Sequence, residues 1–217
     1  MSSSDIAAVL ELLSSRICHD LISPVGAINN GIEFMEDAGD DPESVKQASE
    51  LIAHSAQSAA SRLQAFRIAY GAGGRDGNIK PEDVQKAFGN LTRADGKVRQ
   101  AWDPFGPLGV DVKTRGFCKV LMGGLMLAAE CLPKGGIVAI DPSTENSFLI
   151  HAEGTDAVLR EGVDKALEGV TSVDDLDPRL VHPYALSLIA RSYNFVISND
   201  KVEPNKVTFR VRYTGGA

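Results

Sequence analysis

The residues with the chemistry to move a group stand together: His19, Asp20, Leu21, Ile22, Ser23 and Pro24. An imidazole in water is neutral near pH 7 for much of the time, and a neutral ring nitrogen is a competent nucleophile. The Asp20 carboxylate beside it can fix the tautomer, leave the far nitrogen free to attack and stabilise the cation that forms. Pro24 cannot donate to the carbonyl of Asp20 and crowds it, so a kink just past the histidine is expected. An ordinary solvated histidine needs none of this string.

A helix must hold this group in water. Ile6, Leu10, Leu13, Ile17, Leu21, Pro24, Ile28, Ile32 and Met35 recur in steps of three and four, the seam of one amphipathic helix. His19 is two residues from Ile17 and two from Leu21. Two residues turn roughly 200°, so His19 points away from the seam. Leu12, Ser15, Arg16, Ile22, Ser23, Gly26 and Asn30 share its face. Most are small or polar, which lets another protein approach the imidazole. Leu12 and Ile22 bracket it and suggest a docking patch that also includes Ser15, Arg16, Ser23 and Gly26.

The first helix starts near Ser4 as N-cap and stops by Gly39. Asp40 or Asp41 then caps a second helix with Pro42 in first position. Its stripe, Val45, Ala48, Ile52, Ser55, Ala59, Leu63, Phe66 and Tyr70, is rich in small residues. The two helices form an antiparallel hairpin. A lone hairpin cannot bury both stripes, and pairing two copies into a four-helix bundle solves that. A homodimer is therefore expected, with Ile32, Ile52, Ala59 and Leu63 at or near the bundle core. His54 is also outward on its helix but lacks an acidic neighbour and a following Pro, and reads as surface.

The region Gly71–Gly77, with four glycines in seven residues, breaks the pattern. The expected organisation is a helical hairpin over 1–72, a Gly-rich linker over 73–77 and an α+β sandwich over 78–217. In the last part, helices are predicted over 81–91, 115–132, 155–168 (capped by Thr155 or Asp156) and 183–193. Strands are predicted over 98–102, 136–140, 147–152, 195–198 and 207–213, with a turn at Thr144-Glu145-Asn146 and a loop over 199–206.

Composition narrows the class. With 217 residues, 43% hydrophobic and 24% charged, the chain is of ordinary globular make-up. The net charge of -7 argues against a nucleic-acid partner. No apolar run reaches a membrane span and the N-terminus lacks an export signal, so no membrane association and a cytoplasmic location are expected. Cys18, Cys118 and Cys131 show no metal spacing, and reduced thiols are expected. Cys18 and His19, adjacent on a helix, diverge by roughly 100° and would chelate poorly.

His19, Asp20, Leu21, Ser23 and Pro24 together resemble the phosphoacceptor box of the dimerisation and histidine-phosphotransfer domain of two-component kinases. Downstream, Lys119–Gly136 is similar to the N-box helix and following turn of the histidine-kinase ATP-binding (Bergerat) fold, with Pro133, Gly135 and Gly136 matching the turn. The two metal-binding Asn positions of that helix are here Gly123 and Leu127, which offer no oxygen donors. The adenine signature, an Asp followed by Gly-x-Gly, is reduced to Ala152-Glu153-Gly154-Thr155-Asp156. The phosphate-cradling glycine turn is replaced by the stretch from His182 to Ile189, where Pro183 has no N–H to offer.

The whole chain thus resembles the ChpT-type histidine phosphotransferases of alphaproteobacterial phosphorelays. That resemblance implies a dimeric hairpin bundle joined to a kinase-like domain that keeps its fold and binds no ATP. It implies a phosphorelay carrier that accepts a phosphoryl group from the receiver domain of a hybrid histidine kinase and passes it to response-regulator receiver domains. His19 would be the transient phosphohistidine and Asp20 its orienting partner. No cofactor of its own is expected, Mg²⁺ being supplied by the receiver's acidic pocket. The rival readings are an ATP-dependent sensor histidine kinase and a non-catalytic receiver-binding adaptor.

Overall fold

The computed structural model describes residues 2–39, 41–71, 78–93, 96–143 and 146–215. The expected linker at 73–77 and the turn residues Thr144 and Glu145 lie outside them. Two long helices, α1 (Ser3–Asp37) and α2 (Pro42–Ala69), pack along each other as the hairpin. The cap of α1 is Ser2 rather than Ser4. Its hydroxyl accepts from the Asp5 N–H at 3.1 Å and the Asp5 carboxylate accepts from the Ser2 N–H at 2.7 Å, a reciprocal capping box. Asp41 caps α2 through the Ser44 N–H at 3.1 Å, with Pro42 at the first helical position. Helix α1 runs through Pro24 as one element. Gly31 lets the two helices approach: a Cβ there would lie 2.6 Å from Cγ1 of Ile52.

The remainder is α3 (Pro81–Arg93), β1 (Val98–Ala101), α4 (Phe117–Glu130), β2 (Gly136–Pro142), β3 (Ser147–Glu153), α5 (Val163–Glu168), α6 (Val181–Ser192), β4 (Phe195–Glu203) and β5 (Lys206–Tyr213). The five strands form one mixed sheet in the order β1-β2-β3-β5-β4, parallel between β1 and β2 and antiparallel elsewhere. Helix α4 is buried from Phe117 to Ala128. It packs on the sheet and is flanked by α2, α3 and α6.

Two further elements differ from expectation. The helix expected over 155–168 exists only as α5. Asp156 (φ 60) and Gly162 (φ 85) are left-handed, a conformation no helix tolerates, and the preceding chain turns back so that the Val158 N–H bonds the Cys131 carbonyl. Strand β4 runs on to Glu203, leaving only Pro204 and Asn205 as turn. Its second half is polar because it is an edge strand, where charged residues such as Lys201 guard the open side.

One core unites the sheet part with the foot of the hairpin. Ala65, Phe66, Ile68 and Ala69 of α2 belong to the same buried cluster as Leu121, Leu125, Ile150 and Phe209. Burying a side chain such as Ile68 contributes about 1.5–3 kcal/mol. The buried Lys119 ammonium of α4 donates to the carbonyls of Ala69 and Gly71, closing the end of α2. A smaller cluster of Val9, Ala166, Leu176, Val181 and Tyr184 ties the start of α1 to α5 and α6.

Candidate active site on the first helix

Ile17 and Leu21 pack against the main core from α1. His19 lies between them in sequence and on the other side of the helix, with its side chain 88% exposed. Its Nδ1 faces Oδ1 of Asp20 at 3.4 Å, a contact at the long end of hydrogen bonding that a charged imidazolium would tighten. With Nδ1–H turned to the carboxylate, Nε2 is the nitrogen left with a free lone pair, open to solvent. Ser15, Ser23 and Ile22 are exposed beside it, Ile22 at 69%, and Gly26 is half-buried.

Two residues of the proposed docking face lie elsewhere. Leu12 is half-buried against the cluster of Val9, Val181 and Tyr184. Arg16 reaches across to α4 and pairs with Glu130. Helical arithmetic alone puts both on open surface, and both are turned inward because the sheet part packs against this flank of α1. Asp20 is mostly covered, and with Arg16 it lines a cleft of about 420 Å³ between hairpin and sheet part. Arg62 and Phe66 of α2, Lys97, Met126 and Glu130 complete its charged rim and apolar floor. The Nε of Arg62 is buried there with no hydrogen-bond partner among the described residues.

Deeper in, α6 closes onto α4 and α2. His182 is fully buried. Its Nε2–H donates to the Gly123 carbonyl at 3.1 Å and its Nδ1 accepts from the Tyr70 hydroxyl. Burial holds His182 neutral, below its ordinary value of 6.5, and holds the Tyr70 hydroxyl protonated well above its usual range. A Cβ at Gly123 would lie 2.5 Å from Cδ1 of Leu186, so α6 packs directly on this face of α4. Cys118 and Cys131 are buried, and burial pushes both thiols up to about 12, which makes them poor nucleophiles. Among the described residues no group of His, Cys, Asp and Glu could hold a metal ion.

The chain has relatives that fit this geometry. The family described as histidine phosphotransferase C-terminal domain matches residues 81–205. Over 202 residues the chain is 34% identical to the protein phosphotransferase ChpT of Brucella abortus (strain 2308), covering 91% of each. The chain belongs to the ChpT-type histidine phosphotransferases. A solved bacterial phosphotransferase, determined at 1.7 Å, superposes with a TM-score of 0.74 at 31% identity over 98% of both chains. The protein is accordingly a phosphotransferase of a phosphorelay, a family whose work implies kinase and receiver partners.

Within this phosphotransferase, spacing along the first helix singled out His19 and Asp20. It could not find Glu130, Arg62 or the pair of Tyr70 and His182. Arg16 and Glu130 are 114 residues apart and Tyr70 and His182 are 112 apart, and no periodicity links positions so distant. The one available signal is a Glu in the last turn of a helix whose other residues after Lys119 are all apolar, where an acid is electrostatically unfavourable without a cation.

Proposed function

We propose that His19 carries the phosphoryl group between receiver aspartates, with Asp20 as its orienting partner. The observation that carries this reading is the solvent-facing imidazole whose Nδ1 is turned to a carboxylate. Nε2 attacks the phosphorus of a receiver phosphoaspartate. The N–P bond forms as the P–O bond to the aspartate breaks, and the aspartate leaves as carboxylate. The ring becomes an imidazolium that the Asp20 carboxylate neutralises, and transfer to the next receiver reverses the step. Mg²⁺ held by the receiver would offset charge on the phosphoryl oxygens. The docking patch on this chain narrows to Ser15, Ile22, Ser23 and Gly26. The test is incubation with a labelled phospho-receiver. Wild type should take up acid-labile phosphate and His19→Ala none, with the fold unchanged. Label on His19→Ala would remove His19 from this role.

The same reading includes assembly and nucleotide. Ile6, Leu10, Ile32 and Leu63 are exposed apolar residues on the hairpin, while Ile52 is half-buried and Ala59 buried against the chain's own helices. A second hairpin covering the exposed set, to make a four-helix bundle, accounts for them better than water does. The sheet part is read as a Bergerat-type fold that has given up its nucleotide. Support comes from Leu186 against Gly123, from His182 filling the space beside it, and from the pairing of Asp156 with Lys134 and of Glu153 with Lys206. A cytoplasmic setting fits the free cysteines and the absence, among the described residues, of a helix long and apolar enough to cross a membrane.

A further inference from the structure

Arg16 stands four residues before Asp20 on α1. Residues four apart are neighbours on a helix surface, and an Arg–carboxylate pair is among the stronger side-chain interactions. Left to itself, the Arg16 guanidinium would compete with the His19 Nδ1–H for the Asp20 carboxylate. The structure instead pairs Arg16 with Glu130, in the last position of α4. Asp20 is left facing His19. Arg62 and Lys97 line the same cleft, but the ion pairs of the described residues join neither to Asp20.

The placement of Glu130 is firm. It ends a helix that is buried from Phe117 to Ala128 between the sheet and α2, α3 and α6. A carboxylate there meets the negative end of the α4 dipole, a local cost that a cation offsets. Arg16 is that cation, and its side chain is four-fifths covered. The pairing therefore holds the Arg16 guanidinium on Glu130, within the cleft that Asp20 also lines.

We infer that Glu130 is a positioning residue for phosphotransfer: it sequesters Arg16 so that the Asp20 carboxylate stays available to the His19 imidazole. The sheet part thereby acts on the reaction without touching phosphate. This rests on His19 being the phosphoacceptor, and the experiment separates the two failures.

The donor is phosphoramidate, a small molecule that needs no docking surface. Its P–N bond breaks, a new N–P bond forms at Nε2 of His19, and ammonia leaves. Rates of labelling are compared on the full chain for wild type, Glu130→Gln, Arg16→Gln/Glu130→Gln, Asp20→Asn and His19→Ala, with thermal melts to establish folding. Glu130→Gln should be slower by about tenfold or more, approaching Asp20→Asn. Adding Arg16→Gln should restore the rate to within about threefold of wild type, because the competitor is gone. In ¹⁵N spectra, Glu130→Gln should shift His19 from the Nδ1–H to the Nε2–H tautomer, and the double variant should shift it back. A merely mechanical clamp predicts the reverse for the double variant: it would remain as slow as Glu130→Gln. That result, or a Glu130→Gln that labels like wild type with its tautomer unmoved, overturns the inference. Label on His19→Ala would instead defeat the phosphoacceptor reading beneath it.

Discussion

An exposed imidazole draws its chemistry from the one carboxylate beside it. His19 is open to solvent, and in the proposed transfer its tautomer and the charge it acquires would depend on Asp20, which lies partly beneath the surface. Removing that carboxylate leaves the nucleophile in place. Asp20→Ala should therefore slow phosphotransfer by about 10²-fold without abolishing it. Ile22→Asp should do the opposite. Its side chain is the largest exposed apolar group beside the histidine, and a charge there must be desolvated when a receiver docks. Receiver binding should weaken by about 1–3 kcal/mol while labelling by phosphoramidate is spared. Calorimetry for affinity and single-turnover labelling for chemistry, on both variants, give the answer. Wild-type receiver affinity in Ile22→Asp would take this residue out of the docking patch.

At the scale of the elements, the hairpin has two kinds of apolar surface. One kind, Ala65 to Ala69 with Ile17 and Leu21, is spent on the sheet part. The other, with Leu63 at 52% and Ile32 at 45% exposure, is left about half open by the described residues of a single chain. If a second copy covers it, Leu63→Asp places an unpaired charge in the bundle core of both copies, which costs several kcal/mol. The variant should scatter light as a monomer at micromolar concentration where wild type is a dimer. The foot of α2 should remain folded, because its core belongs to α4 and the sheet. A wild-type chain that is already monomeric at that concentration would leave the exposed set without this explanation.

Over the whole molecule, the buried contact of Tyr70, His182 and Gly123 joins three helices and makes stability depend on acid. His182 is held neutral by burial, with Arg16 acting in the same direction and Glu130, the Gly123 carbonyl and Asp20 against it. Its folded value lies below the ordinary 6.5, so below that pH the unfolded chain binds more protons and stability falls. The contribution is complete above about pH 6.5 and is lost as pH drops toward the depressed folded value. His151, lowered by burial and then by Lys206, adds in the same sense. Denaturant melts from pH 8 to 5 should show this loss, and His182→Gln should flatten it; equal slopes would mean another group carries the acid sensitivity. The same packing bears on nucleotide. With Leu186 against Gly123 and no oxygen ligand at Leu127, calorimetry with Mg-ATP should give no saturable heat. A saturable, Mg²⁺-dependent isotherm would revive the kinase reading.

The hairpin and the outward placement of His19 beside Asp20 were legible because both are local. A seam in steps of three and four sets which way His19 faces, and neighbouring positions supply Asp20 and Pro24. Strand positions followed from short apolar runs. The element bounds differ where sequence carries no local signal: at the polar edge of strand β4, and at 155–162 of the expected helix, where left-handed Asp156 and Gly162 stop it. Which flank of α1 is open was not local at all. Helical arithmetic put Leu12 and Arg16 on the same face as His19, but it cannot see a second layer arriving from more than a hundred residues away. The sheet part packs on that flank, takes Leu12 into its smaller core and gives Arg16 to Glu130. Local periodicity thus determined which way His19 faces. The long-range packing of α4 and α6 decided the charges around it, because charge pairing depends on distance in space and not on separation along the chain.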